Sequence, residues 1–190
     1  VFFSQLGVRL GSVQLNAIAQ RFLFNKSLIL FEGSSSAISA QPSFWPALSE
    51  QNSGDSAQQA IGQGSLLVTP LHMALITAAI AQNGELYAPR IAVRTPPRLL
   101  ARLIDRRVAD EIKRLMRYTV EHGTAVGANI KGITIAGKTG TAQAPDGEDH
   151  SWFVCFAPVE RPAIAVAVLI EHGGYGAAAA LPVAVELIKK

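Results

Sequence analysis

Residues 132–142, Gly-Ile-Thr-Ile-Ala-Gly-Lys-Thr-Gly-Thr-Ala, hold the side chains of this sequence best suited to chemistry. A cation, Lys138, stands next to a hydroxyl, Thr139, and a bare backbone, Gly140. Two chemistries fit these letters. From Gly132 to Thr139 they spell G-x-x-x-x-G-K-[ST], the loop whose amides and lysine cradle a nucleotide phosphate. From Lys138 to Gly140 they spell Lys-Thr-Gly, a tripeptide of serine acyl-transfer sites.

The flanking residues separate the two. A phosphate loop needs a strand before it, a flexible loop across it and a helix straight after the Lys-Thr. The four variable residues here are Ile133, Thr134, Ile135 and Ala136, mostly β-formers. Gly140, Pro145 and Gly147 follow within a few residues and do not continue a helix. No strand pattern precedes Gly132 in residues 124–131. Residues 133–143 instead predict a strand, and Ala144 to Asp149 a turn. Residues 151–157, Ser-Trp-Phe-Val-Cys-Phe-Ala, predict a second strand, and 163–170, Ala-Ile-Ala-Val-Ala-Val-Leu-Ile, a third that is apolar on both faces. A helix over 176–190 closes the chain. The expected class is α+β, an antiparallel meander with helices packed on it.

Upstream, Ser12 to Phe24 predicts a helix from its apolar spacing. Residues 25–65 show no strong period, and the Gly33-Ser-Ser-Ser36 cluster reads as a polar loop rather than a nucleophile. Thr69 to Gly84 carries a cap, a first-turn proline and an Asn-Gly stop around an almost wholly apolar interior. Gly62-Gln63-Gly64 before it reads as a turn, since a lone G-x-G is a weak dinucleotide signal. Asp105 to His122 predicts an amphipathic helix with Val108, Ile112, Leu115, Met116 and Val120 as its stripe. Residues 131–190 are thus expected to form the meander and last helix, and residues 1–130 a mostly helical and loop region of the same domain.

The composition, 49% hydrophobic and 16% charged over 190 residues, calls for a buried core. The net charge of +3 comes largely from the stretch 98–117, which runs into that helix and where bases alternate with Asp110 and Glu111. That pattern is a solvated face, and no aromatic residues interleave with it, so nucleic acid is not an expected partner. Cys155, the one cysteine, sits in an apolar strand and reads as core. The four histidines fall in different elements without ligand spacing, so no metal site is expected. His72 reads as a core residue; His150, heading the second strand, could face a site. No cofactor is implied. No apolar run reaches the length of a membrane span.

Three stretches carry a family resemblance. Gly137-Lys-Thr-Gly-Thr-Ala-Gln143 followed by Ser151-Trp-Phe153 resembles the transpeptidase domain of class B penicillin-binding proteins. So does Ile61-Gly-Gln-Gly64 with Val68-Thr-Pro-Leu-His-Met-Ala74, and so does residue 117 onward into Gly123-Thr-Ala125. Order and spacing agree over essentially the whole chain. The resemblance implies the penicillin-binding/serine β-lactamase-like fold and serine acyl transfer on the D-Ala-D-Ala end of peptidoglycan stem peptides, with β-lactams acylating the same serine. It implies that Lys138 adds positive charge beside the nucleophile and the substrate carboxylate, and that Thr139 hydrogen-bonds that carboxylate. Gly140 then lets the substrate backbone lie close, and the Thr141 N–H is an oxyanion-hole donor and so the catalytic contribution of this strand. An extended peptide could add to the strand edge. It also implies a bacterial protein acting at the extracytoplasmic face, with a membrane-anchored parent, in growth or division of the cell wall.

The sequence departs from the family in one large respect. No Ser-x-x-Lys occurs in these 190 residues, and the second family motif, S-x-N, is missing too. Ser53-Gly-Asp55 is its nearest imitation. The chain therefore reads as the C-terminal portion of one transpeptidase domain, with its N-terminal part absent and inactive alone. The edge of the 163–170 strand is expected to meet that missing part or a second copy. Two alternatives stay open: a non-catalytic β-lactam or peptidoglycan sensing domain and, remotely, a P-loop nucleotide binder.

Overall fold

The computed structural model describes residues 1–32, 37–92 and 95–190. The Gly33–Ser36 cluster lies outside the described residues. The chain divides into two compact units, Val1–Thr69 with a short segment from Arg90, and Pro70–Pro89 with the remainder to Lys190.

The first unit opens with α1, Phe2–Arg21. Its helical dihedrals break at Gly11 (φ 74°, ψ 171°), so the half after Ser12 is a separate helical run, as the spacing predicts, preceded by a second run. β1 (Leu28–Glu32) and β2 (Ala37–Ala40) pair antiparallel, and α2 (Ser53–Gln59) is capped by Asn52, whose side chain accepts from the Gly54 and Asp55 amides. These three elements fall where no period was legible. Each is short, and α2 packs against α1, where Gly7 lies against the Ser56 carbonyl and Ala60. Gly62-Gln63-Gly64 lies in the turn that follows α2.

The second unit begins with α3, Pro70–Ala81, ended by Asn83 and Gly84, both at positive φ. β3 (Glu85–Tyr87) pairs with β4 (Leu99–Arg102), and α4, Arg106–His122, follows. α4 buries Ala109, Met116 and Val120, whereas Val108 and Leu115 of the expected stripe are 47% and 51% exposed. Ile112, Met116 and Val120 of the expected stripe do pack inward, and Ala109 is buried beside them in place of Val108. A 3₁₀ turn at Val126–Ala128 leads into β5 (Ala136–Ala142), β6 (His150–Ala157), β7 (Ile164–Ile170) and α5 (Ala180–Ile188).

The sheet runs β5-β6-β7, antiparallel throughout. Its register is Ala136↔Phe156 to Ala142↔His150 on one side and Ser151↔Ile170 to Ala157↔Ile164 on the other. Side chains alternate between faces along each strand. One face carries Phe153, Cys155, Val166 and Val168 and is covered by α5 through Leu181, Ala184 and Val185. The other carries Val154, Phe156 and Ala165 and meets Ile80 and Ala81 of α3 and Met116 of α4. β6 is covered on both faces, which explains its near-continuous apolar run. Burial pushes the Cys155 thiol up to about 12, as befits a core position. This is the α+β arrangement of helices on an antiparallel sheet expected from the sequence.

Candidate functional site: the β5 strand

All four residues singled out in the sequence, Lys138, Thr139, Gly140 and Thr141, lie on β5. β5 is the first strand of its sheet and pairs only with β6 among the described residues. The residues after Thr139 stay in the strand to Ala142, and no helix starts there. A nucleotide phosphate would find neither a helix N-terminus nor a loop of converging amides at this lysine.

The strand sorts its groups by parity. Ala136 packs with Phe156 and Met116, which places Lys138 and Gly140 on the α3/α4 face. Thr139 and Thr141 point to the face that holds Phe153 and Ser151, their cross-strand partners. Backbone groups alternate as well. The Ile135 carbonyl accepts from Arg117 Nη1 at 3.0 Å and the Thr139 carbonyl from Lys138 Nζ at 2.7 Å. The N–H and C=O groups of residues 137, 139 and 141 therefore face away from β6. The ammonium of Lys138 is drawn to that same side by its bond to the Thr139 carbonyl. Partial burial holds the Lys138 pKa below the ordinary lysine value.

Thr139 is 8% exposed, and its Oγ1 stands 2.6 Å from Oγ1 of Thr124. Thr124 follows α4 in the turn before the 3₁₀ segment. The Gly123-Thr-Ala125 tripeptide alone assigns this hydroxyl no role, because its contact with Thr139 is a tertiary one. Gly140 lies opposite Trp152, and a Cβ at Gly140 would come within 3.1 Å of the Trp152 Cβ. Its lack of a side chain thus serves cross-strand packing as well as any close approach from outside.

A turn between β7 and α5 braces the far end of the strand. Ser151, fully buried, accepts from the Ala180 amide at 3.0 Å and donates to the Tyr175 carbonyl at 3.3 Å. The next residue, Gly176, donates to Thr141 Oγ1 at 3.4 Å. A Cβ at Gly176 would meet the Gly140 carbonyl at 2.2 Å and the Trp152 carbonyl at 2.8 Å. Only glycine fits between these two backbone groups. His150 does not join the Lys-Thr-Gly cluster. Its Nδ1 accepts from the His172 amide at 3.1 Å, and its ring packs edge-on against His172, which pins the β5–β6 hairpin to the same turn. His72 is buried within α3. Among the described residues no group of three or more His, Cys, Asp or Glu side chains could hold a metal ion, and no helix is long and apolar enough to cross a membrane.

The family model of the penicillin binding protein transpeptidase domain matches residues 1–189. The chain belongs to that family. It is 32% identical over 195 residues to the peptidoglycan D,D-transpeptidase PbpA of Mycolicibacterium smegmatis, covering 90% of this chain and 36% of that protein. It is 29% identical over 209 residues to the peptidoglycan D,D-transpeptidase MrdA of Acinetobacter baumannii, covering 94% and 31%. Among solved structures it resembles the D,D-transpeptidase domain of a peptidoglycan glycosyltransferase from Eggerthella lenta, with a TM-score of 0.83, 29% identity and coverage of 99% and 50%. It resembles equally the imipenem acyl-enzyme complex of penicillin-binding protein A from M. tuberculosis, with a TM-score of 0.83, 29% identity and coverage of 98% and 43%. These neighbours give the fold as penicillin-binding/β-lactamase-like. The chain spans about a third of the length of these curated relatives.

Gly176→Ala is expected to force the Tyr175 turn and the Gly140 carbonyl apart, because neither contact is a flexible side-chain end. The expected cost is about 1–3 kcal/mol of stability, read from denaturant midpoints at unchanged slope. An unchanged midpoint would contradict the tight packing described here.

Proposed function

We propose that this chain supplies one wall of a D,D-transpeptidase active centre that takes peptidoglycan stem peptides and is acylated by β-lactams. The observation that carries this reading is the edge of β5. One strand carries an ammonium drawn toward its outer carbonyl, a hydroxyl on the opposite face and backbone N–H groups directed away from β6. Family membership supports it, as do relatives named peptidoglycan D,D-transpeptidases.

Each group has a fitting task. Lys138 places a cation where a substrate carboxylate and a developing charge can use it. The Thr139 hydroxyl donates to the carboxylate. The Thr141 N–H, directed away from β6, donates to the oxyanion of the tetrahedral intermediate, a contribution of about 2.7–4 kcal/mol for such a donor. The outward backbone of 137–141 offers an extended peptide a strand to pair with. The attacking serine comes from outside these 190 residues, since no Ser-x-x-Lys occurs within them. Its carrier also covers β7, which pairs with β6 alone among the described residues. The active centre works at the extracytoplasmic face of a bacterial membrane. The lack of Ser-x-x-Lys also favours a second reading, a β-lactam-binding domain without turnover.

Three outcomes follow. Joined to a segment carrying Ser-x-x-Lys, Lys138→Ala lowers the rate of acylation by a labelled penicillin about a hundredfold, and Thr139→Val about tenfold, without loss of folding. Unchanged rates refute the assignment, and reversible binding without a covalent adduct selects the sensing domain. The acylation rate also depends on pH through Lys138. Its lowered pKa means that the cation is lost as pH rises through that value, so the alkaline fall comes below the roughly 10.4 of an unperturbed lysine. The 190-residue chain alone, with the β7 edge open, associates in light scattering or unfolds without cooperativity; a cooperative monomer contradicts the role given to that edge.

A further inference from the structure

Thr124 is mounted rigidly beside β5. The Gly123 amide donates to the Thr119 carbonyl at 3.0 Å, and the amide of fully buried Ala125 donates to the same carbonyl at 3.2 Å. A Cβ at Gly123 would already crowd Thr119, at 3.0 Å from its carbonyl oxygen. α4 itself is tied to the strand by Arg117, which donates to the Ile135 carbonyl. From this mount the Thr124 hydroxyl meets the Thr139 hydroxyl at 2.6 Å.

Two hydroxyls bring two protons, and the bond between them uses one. If Thr139 donates to Thr124, its proton is spent inside the pair. If Thr124 donates to Thr139, the Thr139 proton is left for a third group. A carboxylate can only accept, so it selects the second arrangement. The chain then runs from Thr124 O–H to Thr139 O–H to carboxylate. Each bond polarises the next, and the last is charge-assisted. Thr139 is nearly buried, so its oxygen depends on a protein donor once its own proton turns outward. Thr124, exposed and anchored on both sides, is that donor.

We propose that Thr124 is a positioning residue for carboxylate recognition: by donating to Thr139 it frees and orients the Thr139 proton toward the carboxylate of the stem peptide or β-lactam. This rests on the reading of the β5 edge as the carboxylate-binding wall.

The test uses this chain together with the segment that carries Ser-x-x-Lys, and compares a penicillin with its methyl ester. Thr124→Val lowers the second-order acylation constant for the free acid about tenfold, mainly through weaker binding before acylation, while Thr124→Ser stays within about twofold of the parent. The methyl ester, which has no anionic carboxylate, reacts with parent and Thr124→Val at the same rate. Thr124→Ala gives the same reading should valine disturb the turn. Equal losses with acid and ester, or a serine variant as slow as valine, overturn the proposal, since either marks a purely structural role. Thr139→Val separates the two levels. If it leaves free-acid acylation unchanged, the carboxylate-binding reading itself fails; if it is slow while Thr124→Val and Thr124→Ala are not, only the role of Thr124 fails.

Discussion

The in-register pairing of β5 with β6, from Ala136↔Phe156 to Ala142↔His150, sets the position of every candidate group. Period two along the strand puts Lys138 and Gly140 on one face and Thr139 and Thr141 on the other, with the backbone of 137, 139 and 141 directed away from β6. A slip of one residue would exchange all of these. The register is held from the β6 side, where Phe153 and Phe156 are fully buried on opposite faces of the sheet. A slip would move each of them out of its own cluster. The large apolar side chains are on the neighbouring strand, and the small and polar ones are on the strand proposed to do chemistry. That division lets β5 present a cation, hydroxyls and bare backbone without itself having to supply the core.

The second support is the turn from β7 into α5. Ser151 joins the start of α5 to the Tyr175 carbonyl, and Gly176 fits against the Gly140 and Trp152 carbonyls with no space for a side chain. The far end of β5 is thus clamped by backbone rather than by long side chains. The near end is held by α4 through Arg117 and by Thr124 against Thr139. A strand held at both ends keeps its outward groups in place before any ligand arrives, which is what electrostatic stabilisation of a transition state requires.

How much of this was legible in the sequence depended on the length and regularity of each element. The three strands of the sheet, α3 and α4 were readable because apolar runs, caps and an Asn-Gly stop marked them. The elements at 28–32, 37–40 and 53–59 were not, because each is too short to establish a period. The α4 stripe is legible at Ile112, Met116 and Val120 but not at Val108 and Leu115, which are apolar yet exposed, while Ala109, a weak hydropathy signal, is buried. Lys138 to Thr141 were recognisable as letters, and their surroundings rejected the phosphate-loop match. The Thr124–Thr139 contact joins residues whose meeting depends on how α4 packs beside β5, and no local pattern encodes that.

In the proposed reading β5 forms one wall of an acyl-transfer site whose nucleophile lies outside these 190 residues. Peptide mapping after penicillin treatment tests it most directly, on a protein that joins this chain to the segment bearing Ser-x-x-Lys. A single acylated peptide is expected, carrying that serine and lying outside Val1–Lys190. An acyl group on any serine, threonine or lysine of this chain, or no covalent adduct at all, would contradict it.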